Sequence, residues 1–294
     1  YELSAKLTQK FEDSRLKIAE FISAPSSENI VFTKSATESI NLVANSFTED
    51  FLNDGDEVII SYLEHHANIV PWHIAQRNKK FKLVPIEIND LGEIDYKDFE
   101  DKINSKTKLI ALTHMSNVTG AITNFEKINQ IKEKYNIPLL IDGCQFAAHN
   151  NLNVLELNAD FYVFSAHKLY GPSGLGILYM KDQWIDKFNP YQGGGSMIEN
   201  VNILDSTYAS GAQKFEAGTP PIAQVIGFTA CINFLNTIGM RKIFSYEKEL
   251  YDYAIDKMAS INDFKIYGKS KHKGSIISFN LEGLHHNDVA LLLD

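Results

Sequence analysis

The chain has 294 residues, 44% of them hydrophobic and 22% charged, which is enough for one large domain and part of another. Its formal charge of −9 and pI near 5.5 argue against a nucleic-acid partner, because phosphate binding needs a basic face. No stretch approaches the roughly 18 apolar residues of a membrane span and no charged-then-apolar leader opens the chain, while Cys144 and Cys231 offer neither a metal spacing nor a disulfide framework. The expectation is a cytoplasmic protein that engages neither membrane nor nucleic acid.

The first segment is a helix. Leu3–Ile22 places Leu3, Leu7, Phe11, Ile18 and Phe21–Ile22 at helical spacing among charges, and Pro25 with two serines ends it. Asn29–Phe32 predicts a short strand, followed by small and hydroxylated residues, Ala36 and Thr37 among them, ahead of a helical pattern. Such a helix start leaves N–H groups free and carries the positive end of the helix dipole, so Thr37 is either a plain cap or part of a phosphate site. Asn53–Asp56 reads as a turn and Glu57–Ser61 as a buried strand. Tyr62, Glu64, His65 and His66 follow it, then a helix from near Asn68. A histidine just past a strand end either packs there or stacks on a flat ring and moves protons.

Phe81–Ile86 and Lys108–Thr113 predict further strands, with Asp95 capping a short helix between them. In His114-Met-Ser116-Asn117-Val-Thr-Gly120, Asn117 serves either as a turn residue or as a donor to a ring oxygen. Asn124–Tyr135 reads as a surface helix with Ile128 and Ile131 inward. Pro138–Asp142 is an apolar run that ends on a carboxylate, and Phe146–His149 continues the turn after it. Cys144, between Asp142 and Gln145, reads as packing rather than as a nucleophile.

Phe161–Tyr179 is the stretch around which the rest is organised. An apolar run of strand length delivers Ser165, His167 and Lys168, and a turn through Gly171, Pro172, Gly174 and Gly176 leads into a second apolar run. This predicts a part-buried but reachable lysine, whose amine desolvation would keep nucleophilic. Pyridoxal phosphate (PLP) needs a lysine for its aldehyde and an acid for its ring nitrogen, and Asp142 supplies the acid. Strands alternating with helices, with candidate ligands after strand ends, imply a largely parallel sheet. Beyond Met180, Gly193–Gly195 predicts a mobile loop or close backbone approach. Ile222–Ile238 behind Pro221 and Met240–Met258 predict helices, Phe264–Tyr267 and Ser275–Leu281 strands, and Asn287–Leu293 a helix. Tyr1 is not Met, and Asp294 closes an apolar run without a stop signal, so both ends read as cut.

Ser-Ala-His167-Lys168-Leu-Tyr-Gly171-Pro172-Ser-Gly174-Leu-Gly176, Ile141-Asp142-Gly-Cys144-Gln145 and Glu64-His65-His66-Ala-Asn-Ile-Val-Pro-Trp72 resemble the class V aminotransferase superfamily of PLP enzymes. Within it they most resemble the Suf-type (group II) cysteine desulfurases and selenocysteine lyases, over the whole chain. The resemblance implies an α/β, fold-type I PLP-dependent transferase, with a mostly parallel central sheet, covering helices and a smaller, incomplete α+β C-terminal domain. The expected divisions are residues 1–22 as an N-terminal helix, 23–238 as the PLP-binding domain and 239–294 as the start of the small domain.

The resemblance also implies roles. Lys168 carries the cofactor as an imine and shares proton transfers with His65, which lies over the ring. Ala36 and Thr37 form the phosphate turn, Asn117 faces cofactor and substrate, Asp142 holds the ring nitrogen and Gln145 the 3-oxygen, with Ser165 and His167 completing the pocket. Thr219, in Phe215-Glu216-Ala-Gly218-Thr219-Pro220, reaches the phosphate of a neighbouring subunit, which implies a homodimer with shared sites. The implied reaction converts L-cysteine to L-alanine and leaves sulfur on an enzyme cysteine as a persulfide, for a sulfur-acceptor protein of iron-sulfur cluster assembly. That cysteine and the arginine for the substrate carboxylate are expected beyond Asp294. Selenocysteine lyase or another class V aminotransferase or lyase is the alternative, and a non-catalytic scaffold a remote one.

Overall fold

The computed structural model describes residues 2–294. Its centre is a seven-stranded sheet: β1 (Ile30–Thr33), β2 (Glu57–Ser61), β3 (Lys82–Ile86), β4 (Thr107–Thr113), β5 (Leu139–Asp142), β6 (Phe161–Ser165) and β7 (Gly176–Met180). The strand order is β1-β7-β6-β5-β4-β2-β3. β2 to β6 pair parallel, and β7 alone runs against its neighbours β6 and β1. Around the sheet lie α1 (Glu2–Phe21), α2 (Ala36–Phe51), α3 (Val70–Ala75), α4 (Tyr96–Lys102), α5 (Phe125–Lys132), α6 (Phe146–His149), α7 (Asp182–Lys187) and α8 (Ile222–Ile238). Two antiparallel pairs stand apart from it: β8 (Ile198–Val201) with β9 (Ser206–Tyr208), and β10 (Phe264–Tyr267) with β11 (Ser278–Leu281). Flanking the second pair in sequence are α9 (Met240–Met258) and α10 (His286–Leu293). No single helix among the described residues is long and apolar enough to cross a membrane.

The central strands are apolar along most of their length because both faces are covered. Ile59, Ile110, Ile141 and Tyr162 point to one face, where Phe11 and Ile18 of α1 and Val225 and Phe228 of α8 join them. Val58, Ala111, Leu140 and Phe161 point to the other, against Val43 and Phe47 of α2 and Trp72 of α3. A register slip of one residue would exchange the two sets. Each fully buried Leu, Ile, Val or Phe contributes about 1.5–3 kcal/mol, so the packing fixes the register. In that register Thr113 lies opposite Asp142, and Thr33 and Ser165 each lie opposite Gly176, at one edge of the sheet. A Cβ at Gly176 would overlap Thr33 and Ser35, so glycine lets the β1–α2 turn settle on β7.

Beyond one-residue shifts at element ends, the structure departs from the sequence reading as follows. Phe146–His149 is a helical turn, α6, because its small and apolar residues bury Ala147 and Ala148. The loop after Gly195 contains the β8–β9 hairpin, whose short and mostly exposed strands lack an apolar alternation. The helix expected to Tyr135 ends at Lys132 and tightens into a 3-10 turn over Glu133–Tyr135, with left-handed Asn136 behind it. The last strand starts at Ser278 instead of Ser275.

One buried ion pair joins distant parts of this framework. Arg15 of α1 donates to Glu216 through both terminal nitrogens, at 2.6 and 2.9 Å, and to the Ile30 carbonyl at 2.8 Å. Glu216 also accepts the Phe32 N–H at 2.7 Å. The guanidinium stands 4.3 Å from the Phe32 ring centroid. Burial opposes the charge on Arg15, but the Glu216 hydrogen bonds and charge, followed by Glu12, hold its pKa above the ordinary value. The two side chains are only 6% and 9% exposed, so removing one strands the other. Glu216→Ala is expected to cost about 3–5 kcal/mol in urea unfolding. Arg15→Met combined with Glu216→Gln, which keeps an acceptor for Phe32, is expected to cost less than that single change.

Candidate active site

Strands that end at the carboxyl edge of the sheet converge on one cavity. Ser35, Ala36 and Thr37 follow β1; His65 follows β2; Asn117 follows β4; Asp142, Cys144 and Gln145 end and follow β5; Ser165, His167 and Lys168 end and follow β6. Together with Ala67, Thr113 and Met115 they line about 230 Å³. This is where ligands sit in open α/β sheets, outside the carboxyl ends of the strands. The floor is buried (Ala36, Thr113, Met115, Asp142, Ser165), Gln145 is half-buried, and Thr37, His65, Asn117, His167 and Lys168 are exposed at the rim.

Local hydrogen bonds decide which rim groups remain free. The cap of α2 is Ser35, whose hydroxyl accepts the Glu38 N–H at 3.2 Å, so Thr37 is not the cap. The Ala36 N–H donates to Ser165 Oγ at 2.9 Å, tying the helix start to the end of β6. First-turn N–H groups such as that of Thr37 have no intrahelical acceptor and suit an anion. In the Asn117 turn, Ser116 Oγ accepts the N–H groups of Val118 and Thr119 at 3.2 and 3.1 Å, so the turn does not consume the Asn117 amide. His65 Nδ1 accepts the Ala67 N–H at 3.1 Å, and since that amide can only donate, the neutral ring carries its proton on Nε2.

Asp142 is the buried charge of the site. Its hydrogen-bonding partner is Cys144, through the N–H at 3.0 Å and the thiol. Burial raises the Asp142 pKa, while the Cys144 bonds and the charge of Lys168 oppose the rise. Burial and the adjacent Asp142 push the Cys144 thiol far up, which keeps it protonated and un-nucleophilic. Behind the floor, a Cβ at Gly143 would overlap the Tyr162 ring, so glycine lets the turn lie flat on β6. Tyr162 OH bonds His114 Nδ1 at 3.0 Å, and the His114 ring stacks on Phe146 with centroids 3.4 Å apart. Burial lowers the His114 pKa to about 3, so it is a neutral packing residue.

Two expectations change. Lys168 is exposed rather than part-buried, because its 3-10 turn, Ala166–Leu169, lies on the rim and buries only Ala166 and Leu169. Thr219 does not join the cavity; it lines a separate one of about 240 Å³ with Lys34, Glu38 and Tyr191.

The model of the aminotransferase class-V family matches residues 1–294. The chain belongs to the class-V aminotransferase family. A cysteine desulfurase of Wigglesworthia glossinidia brevipalpis is 44% identical over 296 residues, which span all of this chain and 72% of that protein. The crystal structure of the cysteine desulfurase CsdA from Escherichia coli superposes with a TM-score of 0.94 at 35% identity, covering 100% of this chain and 73% of that one. The apo structure of a cysteine desulfurase from Thermococcus onnurineus gives a TM-score of 0.93 at 36% identity, with the same coverage.

The donor set of this class-V cavity fits PLP. A buried carboxylate bonded by its own turn suits a pyridinium N–H, a helix start suits a phosphate, and a lysine stands at the rim. Sequence reasoning passed over Ser35, Ala67, Thr113 and Met115, which carry no distinctive chemistry, and gave no role to Glu64. The signal for Glu64 was an acid set within a turn of a strand end and four residues before an amide, Asn68.

The folded pKa of His114 near 3 lies below the ordinary histidine value of 6.5. Below 6.5 the unfolded chain takes up a proton that the folded chain refuses, so this stabilisation is lost as pH falls. The advantage of wild type over His114→Gln in urea unfolding is expected to shrink by about 2 kcal/mol between pH 6.5 and 5.

Proposed function

We propose that this protein is a PLP-dependent cysteine desulfurase, which takes sulfur from L-cysteine as a persulfide and releases L-alanine. The observation that carries this reading is the meeting of Lys168, Asp142, His65 and the start of α2 around one cavity, in a chain 44% identical to a cysteine desulfurase. When bound, the cofactor supplies an electron sink for the substrate Cα. Asp142 would hold the ring nitrogen protonated, and the Ala36–Thr37 turn with the Ser165 hydroxyl would hold the phosphate. Gln145 and Asn117 would bond the ring oxygen and the substrate side, and His167 would close the rim. Lys168 Nζ would be the point of attachment for the cofactor aldehyde and, as a free amine, would serve as the base beside the substrate Cα. The Lys168 turn is exposed here, so in this reading the bound cofactor and a neighbouring subunit provide the desolvation its amine needs.

With Nδ1 engaged by Ala67, His65 presents Nε2–H, which suits a ring that stacks and donates. The sulfur acceptor has to be a reactive thiolate. Cys144 is half-buried and held protonated, and the Cys231 thiol, on α8, donates to the Tyr170 carbonyl at 3.3 Å. Neither fits that task, so the reading keeps the expectation that the acceptor cysteine lies beyond Asp294. The exposure of Thr219 in its separate cavity supports a homodimer in which it serves the partner's site. Delivery to a protein of iron-sulfur assembly in the cytoplasm completes the proposal.

The test is stoichiometry. The intact protein with L-cysteine is expected to yield alanine and protein-bound persulfide in equal amounts, and Lys168→Ala neither. Faster release of alanine from selenocysteine would assign the lyase instead, and turnover of keto acids without sulfur release would contradict both. Between the floor residues, Asp142→Ala is expected to lose more cysteine turnover and cofactor retention than Gln145→Ala. An ionic partner removed from a buried site costs about 3–5 kcal/mol, against roughly 1 kcal/mol for a neutral hydrogen bond.

A further inference from the structure

Behind His65 runs a buried chain of polar groups that the proposed chemistry does not use. Glu64 Oε1 accepts from Ser61 Oγ at 2.6 Å and from the Thr113 N–H at 2.9 Å. Its Oε2 accepts from Asn68 Nδ2 at 2.7 Å, and Asn68 Oδ1 accepts from Trp72 Nε1 at 3.2 Å. All five residues are buried, Asn68 and Trp72 completely. Ser61 ends β2, Thr113 ends β4 and lines the cavity, and Asn68 closes the turn that begins at His65, whose carbonyl accepts the Asn68 N–H at 2.8 Å. The Glu64 carboxyl group therefore fixes both ends of the His65 turn and fastens it across 49 residues of sequence to the neighbouring strand.

The polarity of this chain is determined. The Trp72 indole and the Thr113 amide can only donate. Asn68 must turn its oxygen to Trp72 and its NH2 to Glu64, so residue 64 must accept on both oxygens. Burial raises the Glu64 pKa to about 8, against the opposing bonds from Ser61, Asn68 and Thr113. A proton taken up there has the Ser61 hydroxyl as its acceptor, which leaves the bonds from Asn68 and Thr113 in place. We propose that Glu64 is a positioning residue for His65, and that its acceptor polarity, passed through Asn68 to Trp72, sets where the imidazole stands at the cavity. The inference rests on the PLP reading for its purpose, though not for its test.

A glutamine replacing Glu64 would set its NH2 against that of Asn68 or against the Thr113 N–H, leaving two buried donors face to face. Asn68→Asp reverses the middle link: an aspartate there accepts from the introduced glutamine amide and from Trp72, and the formal charge is unchanged. The experiment compares Glu64→Gln with the pair Glu64→Gln/Asn68→Asp in the cofactor-free protein. It follows the His65 imidazole signal in proton NMR, assigned by its loss in His65→Gln. Glu64→Gln is expected to displace or broaden that signal, and the pair to return it to the wild-type position. Titration with pyridoxal phosphate is expected to show Kd raised roughly tenfold in Glu64→Gln and recovered in the pair.

An unchanged His65 signal in a folded Glu64→Gln protein would overturn the proposal. So would a pair as perturbed as the single variant, and this arm decides even where Glu64→Gln alone does not fold. If wild type bound no pyridoxal phosphate, the PLP reading would fail while the NMR comparison still judged Glu64.

Discussion

The structure depends on placing one carboxylate, Asp142, at the buried end of a central parallel strand. A charge taken out of water is costly unless something nearby repays it. The chain supplies partial compensation through the hydrogen bonds of the Cys144 turn and the positive charge of Lys168. Burial still raises the Asp142 pKa on balance, and a cationic ring nitrogen is the group such a site suits. The flanking features follow from keeping that acid in place: glycine at 143 so the turn lies on Tyr162, and a neutral His114 wedged behind it against Phe146.

The sheet makes this possible because the parallel pairing of β2 to β6 brings strand ends to one edge. Residues scattered between Ala36 and Lys168 then meet around about 230 Å³ without any long-range loop. The floor is buried, formed by the strand ends Thr113, Asp142 and Ser165 with Ala36 and Met115, while the rim residues are exposed. That division suits a site that must grip a flat cofactor below and admit an amino acid above.

Much of the architecture was legible because parallel strands covered on both faces read as unbroken apolar runs, as in Leu109–Leu112 and Leu139–Ile141. The candidate residues were legible because chemistry in such sheets follows strand ends. The exposure of Lys168 was not, since sequence does not tell what covers a turn from above. The β8–β9 hairpin escaped for the opposite reason: its strands have no buried face to impose an alternation. The Glu64 chain needed the β2–β4 pairing, which brings Thr113 to a residue 49 positions earlier. The cap at Ser35 in place of Thr37 was a choice among adjacent hydroxyls that only the backbone decides.

The most direct test of the account is the visible absorption spectrum of the protein with pyridoxal phosphate, followed by borohydride reduction and peptide mapping. The account predicts an absorption band that Lys168→Ala abolishes, with the reduced label on the peptide that carries Lys168. A folded wild-type protein whose spectrum matches that of Lys168→Ala, or a label on any other lysine, would contradict it.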